Sequence, residues 1–260
     1  MEQKLSEIKG ILFDIDGVLY IGDKAVNGAA ETINRLKKAG VPCRFSTNTT
    51  TKSSSTLFEK LNRLQLPIEK SEIISAPQVA IRYLRKLNNP KCFFCVNDDL
   101  IHDFAEFQTS ETNPDYIVIG DINDGWNYDI LNKMFRMIIS GTEIIAIHKG
   151  RFWQEPDGLY LDIGVFIAGL EYASGKTATV IGKPNREFFH LAVEDMGVSP
   201  EGVIMVGDDI NSDIGGAQNA GLRGILVKTG KYRESLVAES EITPDMIINS
   251  VADLPAVIQI

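Results

Sequence analysis

The chain has few cysteines, few histidines and a deficit of positive charge. Its 260 residues include three cysteines and three histidines, and 26 lysines and arginines stand against 35 acidic residues. The resulting net charge of −9 argues against general binding to nucleic acids or anionic membranes, because such proteins use basic patches. A phosphorylated substrate is still compatible with this charge, since a metal ion and one or two lysines can reverse the field locally.

The cysteines and histidines do not form a metal-binding or redox pattern. Cys92 and Cys95 have CxxC spacing, but no second pair and no adjacent histidine accompanies them. The spacing therefore favours buried thiols in an apolar strand. His102, His148 and His190 have no partners at ligand spacing, so we expect structural or solvent-facing roles for them.

Long apolar stretches are also missing. No run is long enough to span a bilayer, and the first residues lack the apolar segment of a secretory signal. So few cysteines are typical of a reducing compartment, and together these features predict a cytoplasmic protein without a membrane partner. The length and the 44% hydrophobic content support one domain that carries an insertion.

Short apolar runs alternate with amphipathic segments that have the spacing of helices. This alternation predicts an α/β fold in three layers, with a parallel sheet between helices. Residues 151–161 instead predict a hairpin that turns at Pro156-Asp157-Gly158. The predicted strands cover residues 9–13, 43–46, 92–96, 116–119, 143–148, 179–181, 203–206, 224–227 and 246–248.

Two acidic segments follow apolar runs that should be buried strands. Asp14 and Asp16 come after the first predicted strand, and Asp208, Asp209 and Asp213 follow a later one. Unpaired like charges beside a core are costly to desolvate, so a purely structural turn explains them poorly. Parallel sheets bind ligands at the carboxyl ends of their strands, and converging carboxylates suit Mg²⁺.

These carboxylates can support phosphoryl chemistry. Asp14 is the candidate nucleophile, because a carboxylate can attack phosphorus and form an acyl phosphate. Asp16 is the candidate general acid and base, and Asp208 is the candidate metal ligand. Asp213 could bind the metal, orient a ligand or cap the following helix, and the orientation of Asp209 stays open.

Two other segments can contribute to the same site. Thr47 and Asn48 follow the second strand, where the start of a helix would bind phosphate or would simply be capped by these side chains. Lys183 should emerge at the edge that carries the aspartates, where it can pair with Asp14 and with a phosphate oxygen. The segments meet most simply if residues 75–178 form an insertion between two parts of a core, 1–74 and 179–260.

In chain order, these segments resemble the four motifs of the haloacid dehalogenase-like hydrolases. The insertion is similar to the α/β cap of the NagD-type branch, which sits on a Rossmann-like core. A loop at residues 162–164, before a predicted helix, could reach the substrate beneath such a cap. The matching segments are Asp14-Ile15-Asp16-Gly17, Ser46-Thr47-Asn48, Gly182-Lys183-Pro184 and Gly207-Asp208-Asp209 with Asp213.

The resemblance implies a Mg²⁺-dependent phosphatase that acts on a small phosphorylated metabolite, with a cap that closes over the site. It implies that Asp14 is phosphorylated, and that Asp14, Asp208 and the backbone carbonyl of Asp16 bind Mg²⁺. Asp16 would also protonate the leaving group and then activate water. The motifs further imply that Thr47, Asn48 and Lys183 hold the phosphoryl group, and relatives of this type pair through the cap as homodimers.

Three alternatives to a phosphatase stay open. A phosphotransferase would use the same intermediate but pass the phosphoryl group to an acceptor other than water. A receiver-like signalling module would be about half as long and would not need Asp16 or a cap. A non-catalytic binding protein would tolerate loss of Asp14, Asp16, Lys183 or Asp208, and all four are present. The leaving group is not specified, and phosphomonoesters, phosphoramidates and pyrophosphate all fit.

Overall fold

A computed structural model of the chain describes residues 8–155 and 157–259, and its elements are numbered here along the chain. The strands are β1 (Gly10–Asp14), β2 (Tyr20–Ile21), β3 (Lys24–Ala25), β4 (Cys43–Thr47), β5 (Ile73–Ser75), β6 (Cys92–Cys95), β7 (Tyr116–Ile119), β8 (Glu143–Ala146), β9 (Phe152–Glu155), β10 (Gly158–Leu161), β11 (Thr179–Val180), β12 (Val203–Gly207), β13 (Arg223–Val227) and β14 (Met246–Ile248). The helices are α1 (Ala29–Lys38), α2 (Ser54–Arg63), α3 (Ala76–Lys86), α4 (Asp98–Ile101), α5 (Tyr128–Ile139), α6 (Gly164–Ser174), α7 (Arg186–Met196), α8 (Gly216–Asn219), α9 (Glu234–Ala238) and α10 (Leu254–Val257).

The larger sheet places the two acidic segments side by side. Within the described residues it joins six strands in the order β14-β13-β12-β1-β4-β5, and all of its pairings are parallel. The central strand β1 pairs with β12 on one side, where Phe13 lies opposite Val206, and with β4 on the other. Because β1 and β12 are parallel neighbours, their carboxyl ends bring Asp14 and Asp208 to one edge.

Helices cover both faces of this sheet. Strands β1 and β12 are buried along their whole length, as expected for parallel strands with helices on both sides. Ile11 and Phe13 pack on one face with Leu36 of α1, whereas Leu12 packs on the other face with Phe189 of α7. This arrangement confirms the predicted three-layer α/β core.

The inserted segment has a parallel sheet of its own. Its strand order is β11-β8-β7-β6 in the part of the chain that the structure describes. One face packs with α5 and α6, where Ile117 meets Met134 and Ile167. The other face packs with α3 through Val118 and Leu84. Each face of this second sheet therefore has its own apolar cluster.

Strand β11 belongs to the second sheet, although we expected the segment from residue 179 to return to the core. Thr179 lies opposite Ile145 of β8, and the pairing continues as the N–H of Gly182 donates to the carbonyl of Ile147 at 2.8 Å. The chain therefore leaves the second sheet just before Lys183. The division into a core and a cap stays a prediction.

Two short hairpins lie near the carboxyl edge of the larger sheet. Strands β9 and β10 form the predicted hairpin, and the predicted turn residue Pro156 lies outside the described residues. Strands β2 and β3 form a second hairpin that the sequence did not predict, since each has only two residues. Over residues 8–155 and 157–259, no helix is both long and apolar enough to cross a membrane.

Candidate active site

Buried carboxylates converge at the carboxyl ends of β1 and β12. Asp14 is the last residue of β1, Asp208 directly follows β12, and Asp213 lies in the π-helical turn Ile210–Gly215. All three side chains are buried. Each offers an oxygen within 4.8 Å of those of the others, a spacing that suits a shared cation.

Lys183 lies between two of these carboxylates. Its Nζ donates to Oδ1 of Asp14 and lies 2.7 Å from Oδ1 of Asp213, and the residue is only 3% exposed. Burial alone would lower the pKa of Lys183, but the carboxylates of Asp14 and Asp213 outweigh it and raise the pKa above its usual range. Lys183 is therefore charged at neutral pH.

The cluster holds more negative charge than Lys183 can balance. Burial raises the pKa of Asp14 well above its usual range. The neighbouring Asp213 and Asp208 raise it further, whereas Lys183 opposes the shift. Burial and the neighbouring Asp213 also raise the pKa of Asp208 to about 7. Ionisation of these two groups is therefore costly until a cation binds beside them.

The contacts of the three aspartates differ. Oδ2 of Asp213 accepts the N–H groups of Asp208 and Asp209 at 3.2 and 3.1 Å, and its Oδ1 faces Lys183. Asp213 therefore fixes both the loop and the lysine. Asp14 and Asp208 each engage one oxygen in the contacts that the structure describes, so each has a second oxygen available to a cation.

Asp209, and not Asp213, caps the helical turn. Oδ1 of Asp209 accepts the N–H groups of Asn211 and Ser212, both at 3.0 Å, whereas Asp213 lies inside the turn. Burial opposes its charge, but Lys231 and these N–H groups lower the pKa of Asp209. The interpretation of Asp213 as a helix cap is therefore wrong, because the turn begins at Ile210, three residues earlier.

Three hydroxyl groups hold the side chain of Asp16. Thr47 and Thr49 both donate to Oδ2 of Asp16, at 3.2 and 2.9 Å. The third hydroxyl is that of Tyr20, which also forms a hydrogen bond with the Asp16 side chain. Burial raises the pKa of Tyr20 above its usual range, and the charge and hydrogen bond of Asp16 add to this, so the phenol stays protonated. These contacts fix the orientation of the Asp16 side chain, which lines the same cavity as Asp14.

Asn48 joins two segments of the site. Its side-chain nitrogen donates to the carbonyl of Lys183 and its Oδ1 accepts the N–H of Lys183, both at 2.9 Å. We expected Thr47 and Asn48 at the start of a helix, but α2 begins at Ser54 and is capped by Ser53. That expectation was wrong because a loop separates β4 from the helix.

Gly230 and Lys231 near Asp208 were missed in the sequence, and Gly17 of the first motif was given no role. Gly17 and Gly230 have φ angles of +86° and +55°, and a Cβ at either would overlap the Asp208 carboxylate. The N–H of Lys231 donates to Oδ2 of Asp208 at 2.7 Å. The signal was available, since Thr229-Gly230-Lys231 closely follows β13, which ends at the same sheet edge.

A cavity of roughly 420 Å³ lies over the carboxylates. His148, which we expected to be structural or solvent-facing, is buried in its wall, and Trp153 also lines it. Four lysines line the cavity beside seven aspartates, so binding of an anionic ligand would depend on a bound cation as well as on the lysines. The residues that the inserted segment contributes are Asp121, Asn123, His148, Trp153 and Asp162.

The fold and the site define a capped α/β protein with buried carboxylates at the carboxyl edge of its larger sheet. A family model described as haloacid dehalogenase-like hydrolase matches residues 11–110, and one described as HAD-hydrolase-like matches residues 180–254. Haloacid dehalogenase-like hydrolase domain-containing protein 2 of Bos taurus is 44% identical over 91% of this chain and 90% of that protein. Phospholysine phosphohistidine inorganic pyrophosphate phosphatase of Xenopus laevis is 38% identical over 94% of this chain and 92% of that protein.

Solved structures agree with these relatives. NagD from Escherichia coli K-12 has a TM-score of 0.84 and 28% identity, with 95% of this chain and 98% of that chain covered. The p-nitrophenyl phosphatase from Archaeoglobus fulgidus has a TM-score of 0.88 and 28% identity at the same coverage. The chain therefore belongs to the haloacid dehalogenase-like hydrolases and is a phosphatase with the capped NagD-like architecture, which confirms the resemblance of its four motifs.

The raised pKa of Asp208 predicts how stability depends on pH without metal. The folded state holds the Asp208 proton up to about pH 7, whereas the unfolded chain releases it near pH 4, so this group destabilises the fold as pH rises between these values. In EDTA, we therefore expect the thermal midpoint of Asp208→Asn to rise relative to wild type over this range. Thermal unfolding of both proteins at pH 4, 5, 6, 7 and 8 measures the difference, and a constant difference would contradict the prediction.

Proposed function

We propose that this phosphatase is Mg²⁺-dependent and hydrolyses small phosphorylated metabolites through an aspartyl-phosphate intermediate on Asp14. One observation carries the proposal. Asp14, Asp208 and Asp213 are buried together at the floor of the cavity, where Lys183 contacts both Asp14 and Asp213. This arrangement supports the proposal, because a carboxylate that could act as nucleophile, a positive charge and a set of oxygen donors lie close together.

The donor set fits Mg²⁺. The buried carboxylates offer only oxygen, which this ion prefers, and their excess negative charge calls for a cation. Asp14 and Asp208 would hold the ion, together with the backbone carbonyl of Asp16. When bound, Mg²⁺ would keep Asp14 ionised and offset the charge of the phosphoryl group.

In the first step, a carboxylate oxygen of Asp14 bonds to phosphorus as the bond from phosphorus to the leaving-group oxygen breaks. Asp16 donates its proton to that leaving oxygen. Thr47 and Thr49 hold Asp16 in place for this transfer. Lys183 balances charge beside the reacting carboxylate.

In the second step, water hydrolyses the aspartyl phosphate. Asp16, now ionised, takes a proton from the water as its oxygen attacks phosphorus, and the bond from phosphorus to Asp14 breaks. Phosphate and free Asp14 result. We retain Thr47 and Asn48 as contacts of the phosphoryl group, and Asn48 also fixes the segment that carries Lys183.

The cavity supports a small substrate. Its volume of roughly 420 Å³ suits a metabolite, and its lysines, together with a cation bound at the aspartates, would favour an anion. Phosphoramidates and pyrophosphate are included, as the name of the Xenopus relative indicates for that protein. A cytoplasmic location and pairing of two copies through the cap accompany the proposal, and the exposed Leu159 and Leu161 on β10 support the pairing.

The test is phosphate release from a panel of phosphorylated metabolites, pyrophosphate, a phosphoramidate and p-nitrophenyl phosphate. We expect release with Mg²⁺, none with EDTA, and recovery when excess Mg²⁺ is restored. Asp16→Asn should lower kcat by about 10²- to 10⁴-fold, because both steps lose their proton donor or acceptor. The control is Asp195→Asn, whose carboxylate pairs with Arg44 and does not line the cavity.

Two results would redirect the proposal. Turnover that EDTA leaves unchanged would exclude the metal site, and normal turnover by Asp16→Asn would exclude its role in proton transfer. Loss of the leaving group only when an acceptor alcohol is added, with the phosphoryl group recovered on that alcohol and not as free phosphate, would instead identify a phosphotransferase, which uses the same intermediate.

A further inference from the structure

Thr50 lies where the inserted segment meets the core. It directly follows the Thr47–Thr49 turn, is buried and lines the cavity. The N–H of Asp121 donates to its Oγ1 at 2.8 Å, and Nε2 of His148 lies 3.4 Å from the same oxygen. Both partners belong to the inserted segment, so the Thr50 hydroxyl forms a contact between the core and the cap.

A backbone contact fixes the tautomer of His148. The N–H of Gly150 donates to Nδ1 of His148 at 3.2 Å. A backbone N–H can only donate, so Nδ1 must carry a lone pair and the proton of the neutral ring must lie on Nε2. Burial lowers the pKa of His148 and so favours the neutral ring. Nε2 therefore donates, and Thr50 is closer to it than Asp162, whose Oδ1 lies 3.7 Å away.

Both lone pairs of the Thr50 hydroxyl are then occupied. A hydroxyl has two acceptor positions and one proton, so with two N–H donors on its oxygen the proton must be donated to a third group. Across the described residues, the structure gives Thr50 no acceptor for that proton, and Thr50 lines the cavity. We infer that Thr50 donates a hydrogen bond to an oxygen of the substrate's leaving group.

The leaving group is favoured over the phosphoryl group as the acceptor. In the proposed function, on which this inference rests, the phosphoryl group lies at Asp14 beside Lys183. The two donors to Thr50 come from the cap, which covers the rest of the substrate. The inference names a substrate class: phosphorylated compounds whose leaving group bears a further oxygen acceptor, such as a hydroxyl, a carboxylate or a second phosphate.

The experiment compares Thr50→Val with Thr50→Ser on two kinds of substrate. Phenyl phosphate has no second oxygen in its leaving group, whereas pyrophosphate, glycerol 3-phosphate and 3-phosphoglycerate have one. We expect Thr50→Val to lower kcat/KM for the best oxygen-bearing substrate about 10- to 100-fold more than for phenyl phosphate, chiefly through KM. Thr50→Ser, which keeps the hydroxyl, should retain the wild-type ratio.

Each other outcome has a defined meaning. An equal loss for both kinds of substrate would assign Thr50 to holding the cap alone and would overturn the inference, as would no loss for either. The wild-type protein could release phosphate from phenyl phosphate but from none of the substrates whose leaving group bears a further oxygen. The inference would then fail while the proposed function stands. If the wild-type protein releases phosphate from no substrate of either kind, the proposed function itself fails.

Discussion

Replacing Asp14 with asparagine is expected to abolish turnover while leaving the metal-free protein at least as stable as wild type. An amide cannot form the acyl phosphate, and loss of a nucleophile typically costs about 10⁴-fold or more in kcat. The raised pKa of Asp14 shows that its charge is unfavourable in the fold, mainly because the group is buried. Asparagine removes that charge and retains an oxygen that can accept the hydrogen bond of Lys183.

The measurement combines phosphate release with thermal unfolding in EDTA and in Mg²⁺. Wild-type protein should unfold at a higher temperature with Mg²⁺, because an ion that binds only the folded state stabilises it. Asp14→Asn should lose most of this response along with its turnover. Asp195→Asn is the matched control, since Asp195 pairs with Arg44 and does not line the cavity.

Either half of this prediction can fail separately. Turnover within tenfold of wild type would place the nucleophile elsewhere. Unfolding of the variant far below the wild-type temperature in EDTA would show that the Asp14 charge stabilises the fold. That result would contradict the view of the cluster as a site whose unbalanced charge is relieved by a cation.

The sequence predicted the convergence of Asp14 and Asp208 because it depends on two simple features. Both residues follow apolar runs that are buried along their length, and parallel strands end at the same edge of a sheet. The same argument predicted that Lys183 lies beside the aspartates, although the strand before it pairs with the second sheet. Strand ends are therefore predictable even where strand partners are not.

The roles of Asp209 and Asp213 could not be predicted in the same way. A spacing of four residues fits either residue as a cap or as a ligand, and the choice depends on where the helical turn begins. The structure begins that turn at Ile210, so Asp209 becomes the cap and Asp213 faces Lys183. A π-helical turn of this kind has no characteristic residue pattern that would locate its start in the sequence.

The cap side of the cavity was harder still to predict. Thr50 and His148 are far apart in sequence and meet only because the second sheet is seated on the core. Whether His148 is structural or lines the cavity therefore depends on how the second sheet packs against the core. Asn48 is similar, since its pairing with the backbone of Lys183 spans the whole insertion.

Replacing Lys183 with methionine is expected to have a large effect on both activity and stability. The change leaves Asp14 and Asp213 buried without their counter-charge, and removing one partner of a buried ion pair typically costs about 3–5 kcal/mol of unfolding free energy. Turnover should fall by about 10²- to 10³-fold, as when a group that stabilises transition-state charge is removed. Denaturant unfolding and phosphate release measure the two effects.

A surface lysine provides the comparison. Lys176 pairs with Glu143 at 2.6 Å, but both side chains are accessible to water. Exposed pairs contribute little, so Lys176→Met should change the unfolding free energy by less than about 1 kcal/mol and leave turnover unchanged. A similar loss in both variants would show that the effect comes from replacing a long side chain rather than from the buried charges.

The double variant Lys183→Met with Asp14→Asn separates the cost of unpaired charge from the loss of packing. If the carboxylates are what Lys183 stabilises, removing the Asp14 charge should restore about 1 kcal/mol or more of the stability lost in Lys183→Met, because residues in direct contact are not additive. Denaturant unfolding of all four proteins in EDTA completes the cycle. Strictly additive losses would mean that Lys183 does not balance the charge of Asp14, and its role would then be limited to the bound phosphoryl group.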